Sequence, residues 1–309
     1  MAKIATRQAY GEALKQLAVE NPNIVVLDAD LSKSTMTAEF KKVAPERFIN
    51  VGIAEQNLVG TAAGLSLAGK IPFASTFAMF AAGRAFEIIR NTVAYPKLNV
   101  KIAATHAGLT VGEDGASHQA IEDLSLMRSI PNMVVLNPAD GVEAKKAVIA
   151  AANYDGPVYI RLGRAAVEEI FDENYKFEIG KGVELVQGND VSIIATGIMV
   201  EKALKASEIL KAEGINARVI NIHTIKPMDS ELIIKAAKET KRIVTAEEHS
   251  IIGGLGSAVL EAISEECPVP VIRIGVKDTF GESGKPNELL EKYGLTEKEI
   301  VEAVKKLVK

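Results

Sequence analysis

The chain has 309 residues, 48% of them hydrophobic and 25% charged, a composition that excludes a disordered chain or a fibre and, at this length, leads one to expect two globular domains. Its 36 basic and 40 acidic residues sum to a formal charge of -4 without long runs of either sign, so a small-molecule substrate is expected rather than nucleic acid or an anionic membrane. The lone Cys267 excludes an internal disulfide framework and a thiolate-cluster metal site, and the absence of a signal core or a bilayer-length apolar stretch points to the cytoplasm.

The first segment reads as an amphipathic helix from residue 4. Short β-branched runs then alternate with helical patterns: IVVLD at 24–28, FINVG at 48–52, VKIAAT at 100–105, MVVLN at 133–137 and VYIRL at 158–162. These runs are apolar throughout instead of alternating, which is the mark of parallel strands covered by helices on both faces. Over 166–189 the pattern breaks into an acidic, turn-rich stretch, read as the connection between a domain over 1–165 and a smaller one over 190–309. The alternation resumes with VSIIAT, a helix over 200–213, ARVINI, a helix after Pro227, RIVTAEE, a helix after the glycines at 253–256, and VIRIGV. Thr296 and Glu299 have capping-box spacing and open the last helix. The expected fold class is therefore α/β, as two doubly wound α/β domains.

Three segments of the first domain concentrate polar groups where such folds place ligands, at the carboxyl ends of strands. In VGIAEQNLVGTAAG, Glu55 follows a predicted strand and begins a small-residue helix, which would bury its carboxylate in a cleft; the helix dipole alone would also favour a glutamate there. In ASTFAMFAAGR, Phe77 and Phe80 lie near a strand-to-helix turn, either as plain core or as a platform for a flat heterocycle. In ATHAGLTVGEDGASHQ, two of the four histidines, His106 and His118, flank a glycine-rich loop with Glu113 and Asp114. Such histidines can relay protons near neutral pH or bind hydroxyls, although His118 could simply cap a helix. Metal ligation by His106, Asp114 and His118 is disfavoured by their spacing, and no G-x-S-x-G elbow exists for a nucleophilic serine. The glycine-rich turn at 253–256 lacks a dinucleotide fingerprint and suits tight helix packing, with His249 structural.

In order and spacing, DADLSKS at 28–34, GIAEQN at 52–57, STFAMF at 75–80, THAGLTVGEDGASHQ at 105–119, NPAD at 137–140, HTIKPMD and EEHSIIGGLGSA resemble the transketolase family over essentially the whole chain. That resemblance implies thiamine diphosphate as cofactor, its aminopyrimidine held by the first domain. A separate domain of the family holds the diphosphate through Mg2+, and its GDG motif is not found here. The chain is thus expected to be the C-terminal subunit of a split transketolase, with an N-terminal diphosphate-binding subunit as partner in an α2β2 assembly.

By the same resemblance, Glu55 bonds the pyrimidine ring nitrogen, Phe80 stacks on the ring, and Phe77 and Asp30 line the pocket. His106 and His118 bind sugar hydroxyls and assist proton transfer, Asp114 reads a hydroxyl's configuration, and Arg7, Ser34 and Arg161 hold the sugar phosphate. A departure lies at Gly83, where some relatives have an aromatic residue. The GIAEQ variant also resembles deoxyxylulose-phosphate synthase and the β subunits of 2-oxo acid dehydrogenases, and a non-catalytic partner subunit is a further alternative.

Overall fold

A computed structural model describes residues 3–309. Its strands, in chain order, are β1 (Lys3–Ala5), β2 (Ile24–Asp28), β3 (Phe48–Asn50), β4 (Ile71–Phe77), β5 (Lys101–Thr105), β6 (Val134–Leu136), β7 (Val158–Arg161), β8 (Ala166–Glu168), β9 (Val183–Val186), β10 (Val191–Ala195), β11 (Ala217–Asn221), β12 (Thr224–Lys226), β13 (Ile243–Ser250) and β14 (Val271–Val276). The first sheet has seven strands in the order β12-β6-β7-β5-β4-β2-β3, parallel except at β12; the second has five, β14-β13-β10-β11-β9, parallel except at β9. The α/β reading with parallel sheets therefore holds.

The continuous apolar runs have the burial expected of central parallel strands, since every residue of β2, β5, β7 and β10 is buried. One face of the first sheet packs Val26, Phe73 and Ile160 against Tyr10, Leu14, Ala144 and Val148, from helices Thr6–Glu20 and Gly141–Asn153. The other face belongs to a larger apolar cluster that runs from Leu27, Ala74 and Ile102 through to Ile194, Ile220 and Leu255 of the second half. The two halves thus share a core.

Two features depart from local pattern. Residues 166–189, irregular by sequence, contain β8, which pairs antiparallel with β1, and β9, an edge strand of the second sheet. In addition, β12 leaves the second half to pair with β6 of the first sheet, a long-range choice that a three-residue segment cannot announce. No helix among the described residues is long and apolar enough to cross a membrane.

Within the first sheet, the chain moves from β2 outward to β3, then back across β2 to β4 and on to β5. The direction of winding reverses between β2 and β4. In open α/β sheets ligands bind beyond the carboxyl ends of strands at such a reversal, and the residues that follow β2, β3, β4 and β5 here include Asp30, Glu55, Phe80 and His106.

Candidate functional site

Glu55 opens helix Glu55–Leu67 and is only 1% exposed. Across from it, β4 ends at Phe77 and passes almost at once into a helical segment that is π-wound over Phe80–Arg84 and again over Ile89–Ala94. Each π-turn takes in an additional residue, and such bulges recur at functional sites. The winding leaves Arg84 beside Phe80, with its guanidinium carbon 4.9 Å from the ring centroid, while its Nη1 donates to Glu55 Oε2 at 2.8 Å.

The aromatic residues form a stack. Phe77 and Phe80 lie 5.9 Å apart and nearly parallel, the His106 ring stacks on Phe77 at 3.8 Å, and His118 meets Phe80 edge-on at 5.4 Å. His106 follows β5 in a left-handed conformation, φ 58°, which turns its ring over Phe77. Its Nε2 faces Arg7 Nη1 at 3.3 Å and its Nδ1 faces Thr105 Oγ1 at 2.9 Å. A guanidinium only donates, so Nε2 is the acceptor and Nδ1 carries the proton. Burial, reinforced by the charges of Arg7, Arg164 and His118, pushes the His106 pKa down to about 3, so the ring is neutral at physiological pH.

Arg7 Nη1 also donates to the Ser34 carbonyl at 2.8 Å. Its Nε is buried without a hydrogen-bond partner, and burial together with the Arg164 charge pulls its pKa below the usual arginine value. Two cations and a neutral histidine with an orphaned buried donor form a place that an anion would relieve.

The structure thus links Ser34, Arg7, His106, Phe77, Phe80, Arg84 and Glu55 through consecutive contacts, with His118 edge-on to both phenylalanines. Asp30 stands apart, exposed in a left-handed conformation and accepting from Asn50 Nδ2 at 2.9 Å. Asp114 is exposed on the loop between His106 and His118.

Arg161 corrects the expectation placed on it. It is 4% exposed, and its Nε donates to both Asp123 carboxylate oxygens at 3.1 and 2.9 Å while Nη2 donates to the carbonyls of Ala120 and Glu248. Buried and bonded through Nε and Nη2, this guanidinium acts as a structural cross-brace. The accessible cation past that strand is Arg164, partly exposed, bonded to the Val111 carbonyl and to Glu113 and close enough to act on Arg7 and His106. Sequence reasoning missed Arg164, although it lies three residues beyond Arg161. It also missed Arg84, four residues beyond Phe80, where helical spacing was the available signal.

The site loop rests on the second half. Glu248 is 3% exposed and its Oε1 accepts from Thr110 N at 2.6 Å; Gln119 Nε2 donates to the carbonyls of Leu109 and Glu282; Ser250 N donates to the Ile121 carbonyl at 2.7 Å. Burial raises the Glu248 pKa to about 7 against the pull of Arg161 and of the bonds to Thr110. His249 is structural: Ser125 N donates to its Nε2, and its Nδ1 donates to the Ser250 carbonyl.

The family model of the transketolase pyrimidine-binding domain matches residues 2–169, and that of the transketolase C-terminal domain matches residues 180–300. A Methanocaldococcus jannaschii protein named as a transketolase C-terminal section is 57% identical over 97% of this chain and 96% of its own length. Human transketolase is 42% identical over 99% of this chain but 49% of its own length. Among solved structures, a split-gene transketolase captured as an inactive β4 tetramer superposes with a TM-score of 0.93 at 63% identity, covering 99% of this chain and 98% of that one. Transketolase from Campylobacter jejuni superposes with a TM-score of 0.83 at 25% identity, over 98% of this chain and 47% of that one. Matched end to end by split relatives and by half of the single-chain enzymes, the chain belongs to the transketolase family, as the C-terminal section of a split transketolase.

Proposed function

We propose that this chain contributes the pyrimidine-binding half of a thiamine-diphosphate site that transfers a two-carbon ketol unit reversibly from a ketose phosphate to an aldose phosphate. The observation that carries the reading is the pairing of a buried Glu55 carboxylate with the half-buried face of Phe80 at the winding reversal of the sheet.

The residues present fit the aminopyrimidine half of the cofactor. A flat, nitrogen-bearing ring calls for an aromatic surface and a carboxyl at its edge. Phe80 would provide the surface and Glu55 the carboxyl that shares a proton with the ring nitrogen. When bound, the cofactor supplies the carbanion chemistry. The chain's own work is positioning and proton handling. His106, neutral and with its tautomer fixed by Arg7 and Thr105, would offer Nε2 as an acceptor to a sugar hydroxyl once Arg7 turns to the phosphate. His118 and Asp114 flank the same opening as further hydroxyl contacts. Arg7 and Arg164, with Ser34 beside them, would take the terminal phosphate, which answers the orphaned Arg7 Nε.

The diphosphate and Mg2+ are assigned to an N-terminal partner subunit in an α2β2 assembly. Support comes from helix Glu55–Leu67, where Gly60 and Gly64 open onto empty space and Leu67 is 75% exposed, and from Ile53 just before that helix and Tyr95 just after Ile89–Ala94, which are 78% and 84% exposed. An apolar surface of this kind next to a half-built site suits a partner's docking. The sugar stays open, since split relatives are named for 6-deoxy-6-sulfo-D-fructose and for apulose 4-phosphate.

The test is to copurify the chain with a diphosphate-binding subunit and assay the complex with xylulose 5-phosphate, ribose 5-phosphate, Mg2+ and thiamine diphosphate. Turnover is expected from the complex only, and Glu55→Ala is expected to reduce it by at least about a hundredfold, the usual scale for a lost proton-transfer group. Unchanged turnover in Glu55→Ala would reject the mechanism.

A further inference from the structure

Arg84 lies on the two groups that the cofactor's pyrimidine would use. Its guanidinium sits over the Phe80 ring at 4.9 Å, and its Nη1 donates to Oε2 of Glu55 at 2.8 Å. A guanidinium is planar, delocalised and edged with N–H donors, so it stacks on an aromatic face and feeds a carboxylate in the same way as a protonated aminopyrimidine. We propose that Arg84 is a resident latch that occupies the aminopyrimidine subsite until the cofactor displaces it, an inference that rests on the thiamine-diphosphate reading of the site.

The physical need for a latch is the carboxylate. Glu55 is 1% exposed, and a buried carboxylate left without a partner is heavily disfavoured. Arg84 meets that need from a side chain that is itself 51% exposed. One side of the guanidinium therefore faces solvent, giving it a route out that breaks one hydrogen bond and one ring contact. The neighbouring residues assist: Gly83 is exposed and has only the flexible end of Met79 near it, and the π-wound turn Phe80–Arg84 places Arg84 over Phe80. The gap that an aromatic residue fills in some relatives is thus left beside the arginine and gives it room to swing.

The latch has a thermodynamic signature. A ligand that must displace an internal competitor binds more weakly by the fraction of time the site is open. The experiment uses the chain assembled with its diphosphate-binding subunit, melted with and without thiamine diphosphate and Mg2+, and titrated calorimetrically with the same cofactor. Without cofactor, Arg84→Ala is expected to melt below wild type, because Glu55 has lost its partner. With saturating cofactor the deficit is expected to close, and the dissociation constant to tighten about fivefold. Arg84→Lys, which keeps the charge and loses the planar stack, is expected to fall between the two and serves if the alanine variant does not fold.

An equal melting deficit with and without cofactor, or a dissociation constant that is unchanged or weaker in both variants, overturns the latch while leaving the cofactor reading in place; Arg84 would then be a brace for Glu55. A cofactor that shifts the melting of neither wild type nor variants overturns the latch and the cofactor reading together.

Discussion

At the scale of single residues, His106 is the most constrained group of the site. A non-glycine residue at φ 58° is held by its surroundings, and strain of this kind collects at functional positions. What holds it is the stack on Phe77 and the two bonds to Arg7 and Thr105. Its pKa of about 3 in the folded chain lies below the ordinary value of 6.5, so between those values the unfolded chain binds the additional proton. The stability His106 contributes is therefore complete above pH 6.5 and is lost as pH falls through about 3. Proton NMR of the imidazole is expected to show no titration of His106 near pH 6.5. In Arg7→Gln its pKa is expected to rise, though short of 6.5, because burial is the larger cause and Arg7 the second. A wild-type His106 that titrates at 6.5 would show the ring to be solvated.

At the scale of elements, the glycine-rich loop between His106 and His118 and the π-wound segment after Phe80 make opposite demands on their glycines. Gly108 has φ 80°, and a Cβ there would lie 2.3 Å from the Glu248 carboxyl carbon. Gly108→Ala is expected to cost about 2–4 kcal/mol, combining left-handed strain with the displacement of a buried side chain. At Gly83 a Cβ meets only the Met79 methyl, and Gly83→Ala is expected to be neutral or stabilising by up to about 1 kcal/mol through helix propensity. Denaturant unfolding of the two variants tests the pair, and a Gly108→Ala variant as stable as wild type would mean that the loop is not pinned. The contrast also shows what a sequence discloses. The apolar runs IVVLD and VYIRL disclosed buried parallel strands because burial on both faces leaves a local compositional mark. Local pattern left no mark of the π-turns, of β12 crossing to the first sheet, or of which of two arginines three residues apart would face Asp123, 38 positions away. Those features depend on contacts that form only once the halves have met.

At the scale of the whole molecule, the second half acts as the bed on which the site loop lies. Glu248 is the point of contact, since its carboxylate accepts from Thr110 N and lies against Gly108, with Arg161 braced between Asp123 and the Glu248 carbonyl. Its pKa is raised from 4.5 to about 7 by burial, with Arg161 pulling the other way and Asp123 adding to the rise. A carboxyl with a raised pKa stabilises the fold fully below the unfolded value and loses that contribution as pH climbs through the folded value. Glu248→Gln keeps an acceptor for Thr110 and does not titrate. The stability of the variant relative to wild type, read by denaturant unfolding, is thus expected to be flat below pH 4.5 and to shift in favour of the variant between about pH 5 and 8, by on the order of 3 kcal/mol. Glu248→Ala removes the acceptor, which frees the loop that carries Asp114 and His118, and under the proposed function it is expected to raise KM for a ketose phosphate about tenfold in the complex with a diphosphate-binding subunit, a loss of about 1.4 kcal/mol in binding. Parallel pH profiles for wild type and Glu248→Gln would show the carboxylate to be solvated, and an unchanged KM in Glu248→Ala would show that the loop holds its shape without the second half.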